Sequence, residues 1–366
     1  VRIDIMSLLK KTLKILSILI ISIILVIFIL FIVHKIKSNQ EYQYLKNEKY
    51  INLINVGNYK LNVYKYGNEN SSHKIIGISG KGVNDFSVEM SYSLKDLDKD
   101  NQIIFIDRAG YGYSDDTKTK QTVEQVVNDY RNALKKAGIE APYILMPHSL
   151  GGVYATYWES MYPNEIEGVI YIDTTELGID VWSKEDYSVN YIDKIEVVAS
   201  KLGLQRPFIH NYYCKLPDSY SEKDQKISDI LNTKSTITDA QLSETEEINI
   251  NTNKAFNSIV ENDIPKIYID ASSGFTTIEE LRESSSWLKT RQQEVGIQVE
   301  EASTTDMQLQ KALESNENWR KTKVIPYIEK LGNTQLILLP GNHQIFEEKP
   351  EKLNAIIKSF IEKFDK

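Results

Sequence analysis

The chain has 366 residues, 41% of them hydrophobic, and a formal net charge of −8. That length accommodates one large domain with insertions, or two domains. The mild acidity, with no Lys/Arg block outside the N-terminal region, argues against a nucleic-acid partner, and a single cysteine, Cys214, excludes an intramolecular disulfide and a thiolate metal cluster.

The first predicted element is a membrane span. Ile15 to Val33 is apolar apart from Ser17 and Ser22. About nineteen residues at ~1.5 Å each match the ~30 Å hydrocarbon layer. Arg2, Lys10, Lys11 and Lys14 precede the run, and His34, Lys35 and Lys37 follow it. This modest excess favours a cytoplasmic N-terminus and an exported remainder. A cleaved signal peptide is the rival reading, but the run is longer than a usual signal core. Phe31-Ile32-Val33-His34 also offers no small-residue cleavage site. The expected division is a cytoplasmic 1–14, an uncleaved anchor over 15–35 and a polar linker over 36–48.

Tyr50–Val56 and Lys60–Tyr66 alternate around Gly57-Asn58, the pattern of a hairpin. Lys74–Ser79 reads as a strand ending at Gly80-Lys81-Gly82, and Val88–Leu97 has helical spacing. Gln102–Asp107 reads as a buried strand running into Arg108-Ala109-Gly110-Tyr111-Gly112-Tyr113-Ser114. Thr122–Ala137 is an amphipathic helix closed by Gly138. Tyr143–Met146 is a strand, Leu150–Met161 a helix and Val169–Asp173 a strand. Strands alternating with helices imply a mostly parallel sheet covered on both faces.

From 176 to 262 the chain is polar, charged and tyrosine-bearing, with helical stretches and no strong strand: a cap insertion. Its Tyr187, Tyr191, Tyr212, Tyr213 and Tyr220 suit an amphipathic or aromatic substrate, although such tyrosines more often simply pack. Ile264–Asp270 restores the strand rhythm. A polar stretch over 272–313 precedes a helix at about 315–331, then Thr334–Leu339 forms the last strand and Pro350–Phe364 a terminal helix. The core is expected over 49–175 and 263–366.

Chemistry concentrates at Leu145-Met146-Pro147-His148-Ser149-Leu150-Gly151-Gly152-Val153. A sharp strand-to-helix turn there lifts the Ser149 hydroxyl clear of the sheet, against the positive end of the next helix. The serine needs a base within hydrogen-bond reach. Of the five histidines, His34 is at the membrane edge and His73 is on the wrong side of its strand. His148 is expected to point away from the serine, and His210 lies in the polar insertion. His343, in Leu339-Pro340-Gly341-Asn342-His343, follows the last strand at the C-terminal edge of the sheet, where ligands gather. It is the expected base on placement.

These residues resemble the α/β-hydrolase superfamily over about 50–364. The order matches: the Ser79-Gly80-Lys81-Gly82 loop, the turn starting at Asp107, the Pro147-His148-Ser149-Leu150-Gly151 elbow, an insertion and a late histidine before a terminal helix. Within the superfamily the chain looks like the membrane-anchored hydrolases of Gram-positive bacteria. Two positions depart from the pattern: Pro147 stands where a glycine is usual, and Ser79 where a non-catalytic histidine is usual.

The resemblance leaves the triad acid open. The superfamily's usual site follows the penultimate strand, where Asp270 comes too early. Its alternative site, at the end of the strand after the nucleophile helix, is matched by Asp173. Asp173 is preferred, Asp270 is the alternative, and Glu176 and Glu279 remain further candidates. The oxyanion donors implied are the amides of Leu150 and Lys81. The glycines after Asp107 lack the order of a nucleotide-binding loop, and neither metal nor cofactor is expected. The expected activity is serine hydrolysis of an ester or amide through an acyl-enzyme, as an esterase or lipase ahead of an aminopeptidase or carbon–carbon bond hydrolase. A non-catalytic binding ectodomain on the same scaffold is the rival from another class.

Overall fold

The computed structural model describes residues 5–178, 187–207, 209, 215–295 and 305–364. Strands β1 (Leu53–Asn55) and β2 (Lys60–Gly67) form the predicted hairpin. Next come β3 (Lys74–Ile78), helix α2 (Phe86–Glu89), β4 (Gln102–Ile106), α3 (Val123–Lys136), β5 (Tyr143–Pro147), α4 (Gly151–Met161) and β6 (Ile166–Ile172). The eight strands, completed by β7 (Lys266–Asp270) and β8 (Thr334–Leu338), lie in the order β1-β2-β4-β3-β5-β6-β7-β8. The pairings of β1 with β2 and β2 with β4 are antiparallel. All the others are parallel.

Parallel strands joined by helical crossovers must be buried on both faces, so they read as continuous apolar runs rather than alternating ones. Every side chain of β4, β5 and β7 is buried accordingly. One layer packs α3 and α4 onto the sheet through residues such as Val127, Tyr130 and Trp158. The other packs Phe86 of α2 together with α11 (Ile345–Glu348) and α12 (Pro350–Ile361), through Phe346, Leu353 and Ile357. Thr122 caps α3 by accepting from the Gln125 amide, which satisfies one of the four unpaired N-terminal donors.

Between β6 and β7 the polar insertion holds α5 (Tyr191–Lys201), α6 (Glu222–Lys234) and α7 (Asp239–Ser258), with no strand among its described residues. His210, Tyr212 and Tyr213 lie outside the described residues.

Three stretches differ from the sequence expectation. Helix α1 runs unbroken from Ile5 to Asn47, so all but the last residue of the expected linker 36–48 is helix. Its apolar part is long enough to cross a membrane. The polar part has partners from distant chain that local composition does not reveal. Leu45 is buried among Tyr50, Ile227 and Leu231, and Arg206 forks onto Glu41 at 2.6 and 2.8 Å. The expected helix over Val88–Leu97 is cut short after Glu89. Asn354 takes the Ser93 and Lys95 carbonyls, and Asp96 adopts a left-handed conformation that no helix continues through. The polar stretch 272–313 carries α8 (Ile278–Glu294) and the greater part of α9 (Asp306–Trp319), so the helix expected at 315–331 starts earlier. Both open with a capping box, Thr277 with Glu280 and Thr305 with Gln308. A π turn at Arg320–Val324 joins α9 to α10 (Ile325–Leu331).

Candidate active site

Ser149 occupies the turn between β5 and α4 with φ of 52°, a left-handed conformation that non-glycine residues rarely adopt. The turn is tied to both neighbouring strands. The His148 amide donates to the Ile78 carbonyl at 3.0 Å and the Ser149 amide to that of Ile172 at 3.4 Å. Pro147 ends β5 opposite Ile78, and the chain stays tied to the sheet beyond it because the next two amides, of His148 and Ser149, bond β3 and β6 in turn. Two close approaches require glycine. A Cβ on Gly151 would stand 2.4 Å from the Ile78 carbonyl oxygen, and one on Gly80 would stand 2.8 Å from the Ser149 Cβ.

Asp173 follows β6 and is also left-handed, with φ of 42°, which directs its carboxylate over the end of β7. There Oδ1 accepts from the amides of Ala271 and Ser272 at 2.8 and 2.9 Å. Oδ2 lies 2.7 Å from His343 Nδ1. Burial alone would push this carboxyl up, but the His343 ring and the two amides outweigh it and hold the group below its usual range. Asp270, the alternative acid, turns away to bond the Ser273 hydroxyl at 2.8 and 2.9 Å, and burial pushes it up to about 6. Asp173 is thus the carboxylate on the imidazole. Glu279 is exposed in the first turn of α8. Glu176 accepts from Trp319 Nε1 at 3.1 Å and is pushed by burial up to about 7.

Ser149, Leu150, Lys81, Asp173, Glu176 and His343 line one cavity of about 360 Å³. No hydrogen bond joins the Ser149 hydroxyl to the His343 ring among the described residues, although both line the cavity. Catalytic hydrogen bonds are often loose without substrate and tighten when it binds. Neither the Leu150 nor the Lys81 backbone amide has an acceptor among the described residues, and both residues line the cavity. The Tyr111 hydroxyl holds the adjoining Gly82 amide at 3.2 Å.

Two residues that shape the candidate site escaped the sequence. His148 does not simply point away: its ring packs on that of His343, with centroids 4.6 Å apart, and between Phe86 and Phe346. Its Nε2 donates to the His343 carbonyl at 2.9 Å. Burial, reinforced by the neighbouring imidazole, lowers its pKa to about 3, so the ring is neutral. Glu244, buried on α7, pairs with Arg108 at 2.8 Å and accepts from Tyr154 at 2.6 Å and from Tyr111. Arg108 in turn donates to the carbonyls of Ser79 and Gly80 at 2.6 and 2.8 Å. The loop carrying Lys81 is thereby locked to the cap. A carboxylate at an interior helix position was the one available signal, and it names no partner.

The remaining histidines lie elsewhere. His73 contacts Glu167 at 3.0 Å, and His34 accepts from Arg206 at 2.7 Å. Lys81 holds its ammonium 6.0 Å over the Tyr187 ring. No cluster of potential metal ligands occurs among the described residues.

Residues 77–297 match a family profile described as alpha/beta hydrolase fold. An uncharacterized protein of Bacillus subtilis, YbdG, is 34% identical over 164 residues, which is 45% of this chain and 48% of YbdG. The chain therefore spans about half the length of that relative. Among solved structures, Cfl2 of Burkholderia cenocepacia superposes with a TM-score of 0.56 at 14% identity, covering 84% of this chain and 94% of Cfl2. The epoxide hydrolase CorEH superposes with a TM-score of 0.54 at 15% identity, covering 86% and 98%. At such identities the likeness is one of fold.

Proposed function

The chain belongs to the α/β-hydrolase family, and on that premise we propose that it is a serine hydrolase cleaving an ester or amide through an acyl-enzyme, in the manner of an esterase or lipase. The observation that carries this reading is the 2.7 Å contact between His343 Nδ1 and Asp173, in the cavity that Ser149 lines. With Nδ1–H directed at the carboxylate, Nε2 is left as the basic nitrogen. His343 takes the Ser149 proton as Oγ attacks the carbonyl carbon. The free amides of Leu150 and Lys81 receive the charge that develops on its oxygen. His343 then protonates the leaving group, and water repeats the cycle on the acyl-enzyme. Serine as the attacking group disfavours the alkyl-enzyme chemistry of epoxide hydrolases and dehalogenases, which uses aspartate.

Membrane attachment belongs to the same proposal: α1 spans the bilayer once, with the hydrolase domain outside the cell. Its support is that the helix continues beyond the apolar run into the domain, with Leu45 in a hydrophobic cluster.

A fluorophosphonate probe tests the chemistry. Wild type is expected to be labelled covalently and Ser149→Ala not at all, with ester turnover reduced on the order of a thousandfold or more. A folded wild-type protein that takes no label would leave only the non-catalytic binding reading.

A further inference from the structure

Helix α5 carries an apolar stripe that none of the described residues covers. Tyr191, Ile192, Ile195 and Val198 are 77, 65, 52 and 57% exposed. They recur at helical spacing along one side, while Asn190, Asp193, Glu196 and Ser200 on the other side line a cavity of about 870 Å³. Lys81 and Gly82 border that cavity too, and Lys81 also borders the cavity holding Ser149. Largely exposed β-branched and aromatic side chains in one row are uncommon on a domain surrounded by water.

The position of this helix indicates what covers the row. Two residues past its end, Gly203 lies against the His34 ring so tightly that a Cβ there would stand 2.4 Å from it. Arg206 holds His34 at 2.7 Å, Ser38 at 2.9 Å and Glu41 at 2.6 Å. His34 directly follows Val33, the last residue of the apolar run. Val198 is therefore only five residues, about 7.5 Å of helical rise, from a point fixed at the boundary of the span. Lys35 and Lys37 on α1 and Lys194 on α5 are exposed near that boundary, where they suit anionic headgroups.

We propose that the Tyr191–Val198 face of α5 is seated in the outer surface of the bilayer that α1 crosses, so that the larger cavity receives its substrate from the membrane. The substrate class that follows is a bilayer-dissolved amphiphilic ester rather than a freely soluble one. This rests on the hydrolase and anchor readings above. Behind the apolar outer face, the cavity wall sets Asn190, Asp193 and Glu196 beside Leu204, Ile237 and Leu242, a mixed lining that accommodates the head of such a molecule while its chains stay in lipid.

Spin labelling of the full chain in mixed phosphatidylethanolamine–phosphatidylglycerol bilayers tests the proposal. In a Cys214→Ser background, Ile195→Cys is labelled and compared with Ile24→Cys in the span and Met307→Cys on exposed α9. The Ile195 label is expected to collide with dissolved oxygen in preference to an aqueous nickel chelate, as at Ile24 and opposite to Met307. Aqueous behaviour at Ile195 with lipid behaviour at Ile24 overturns the inference and leaves the anchor standing. Aqueous behaviour at both sites removes the anchor as well. A label shielded from both reagents means protein, such as a second copy, covers the row, and also overturns it. If probe labelling of Ser149 holds, Ile195→Asn is expected to lower turnover of a bilayer-dissolved ester relative to a soluble short-chain ester by about tenfold. An unchanged ratio overturns the substrate assignment.

Discussion

The buried ring of His148 donates through Nε2 to the backbone carbonyl of His343, at 2.9 Å. The residue before the proposed nucleophile thus fixes the loop bearing the proposed base, across 195 positions of sequence. Because an imidazole pKa near 3 keeps the ring neutral, this link persists through the whole range in which hydrolysis would be measured. His148→Phe keeps the aromatic packing on Phe86 and Phe346 but removes the donor. It is expected to lower kcat by on the order of 10- to 100-fold, and His148→Gln to restore part of the loss. Steady-state hydrolysis of a chromogenic ester, alongside unchanged circular dichroism, checks both.

The left-handed backbone at Ser149 predicts opposite effects on stability and activity. Ser149→Gly removes a Cβ from a conformation that disfavours it, and is expected to stabilise the fold by about 1 kcal/mol. Ser149→Ala keeps the Cβ and gains nothing. Thermal unfolding of the three proteins in the same detergent distinguishes them, and an unchanged midpoint for the glycine variant contradicts the strained turn.

Glu244 neutralises the fully buried Arg108. Glu244→Ala strands that guanidinium without a counter-charge, and the expected loss is on the order of 3–5 kcal/mol. Replacing both residues, as Arg108→Met with Glu244→Leu, is expected to recover much of the stability. Ester turnover would not return with it, because Arg108 also braces the Ser79 and Gly80 carbonyls. Denaturant unfolding and activity of the single and double variants read the two effects separately.

Burial raises the Glu176 carboxyl to about 7, above its value in the unfolded chain. A raised acid stabilises the fold fully below the unfolded pKa, and that contribution is lost as pH rises through the folded one. Thermal midpoints are therefore expected to fall between pH 5 and pH 8. Glu176→Gln, which has no proton to lose, is expected to flatten that slope and to be relatively more stable at the alkaline end. An equal slope in both proteins contradicts the assignment.

What could be read from the chain followed from local physics. Apolar runs between turn residues located the strands, the glycines after Ser149 located the elbow, and the long run from Ile15 located the helix able to span a membrane. Each depends on residues within a few positions of one another. The missed features all depend on distant partners. Whether 36–48 is linker or helix was decided by Arg206 and the cluster around Leu45. The turns that replace the expected helix beyond Glu89 are held by Asn354, reaching back from α12.

The acid shows the division most clearly. Asp173 and Asp270 close adjacent parallel strands, each at the end of an apolar run, and local sequence treats them alike. A left-handed turn aims one carboxylate at the Ala271 and Ser272 amides and at His343, whereas a local bond to Ser273 holds the other aside. Composition and periodicity determined the sheet, the elbow and the anchor-like helix, because short-range sterics and burial set them. Only the tertiary structure decided which carboxylate meets the imidazole, that His148 steadies it, and that Glu244 ties the cap to the Lys81 loop. Hydrogen bonds and charges must find partners in space, and a linear pattern does not encode where those partners stand.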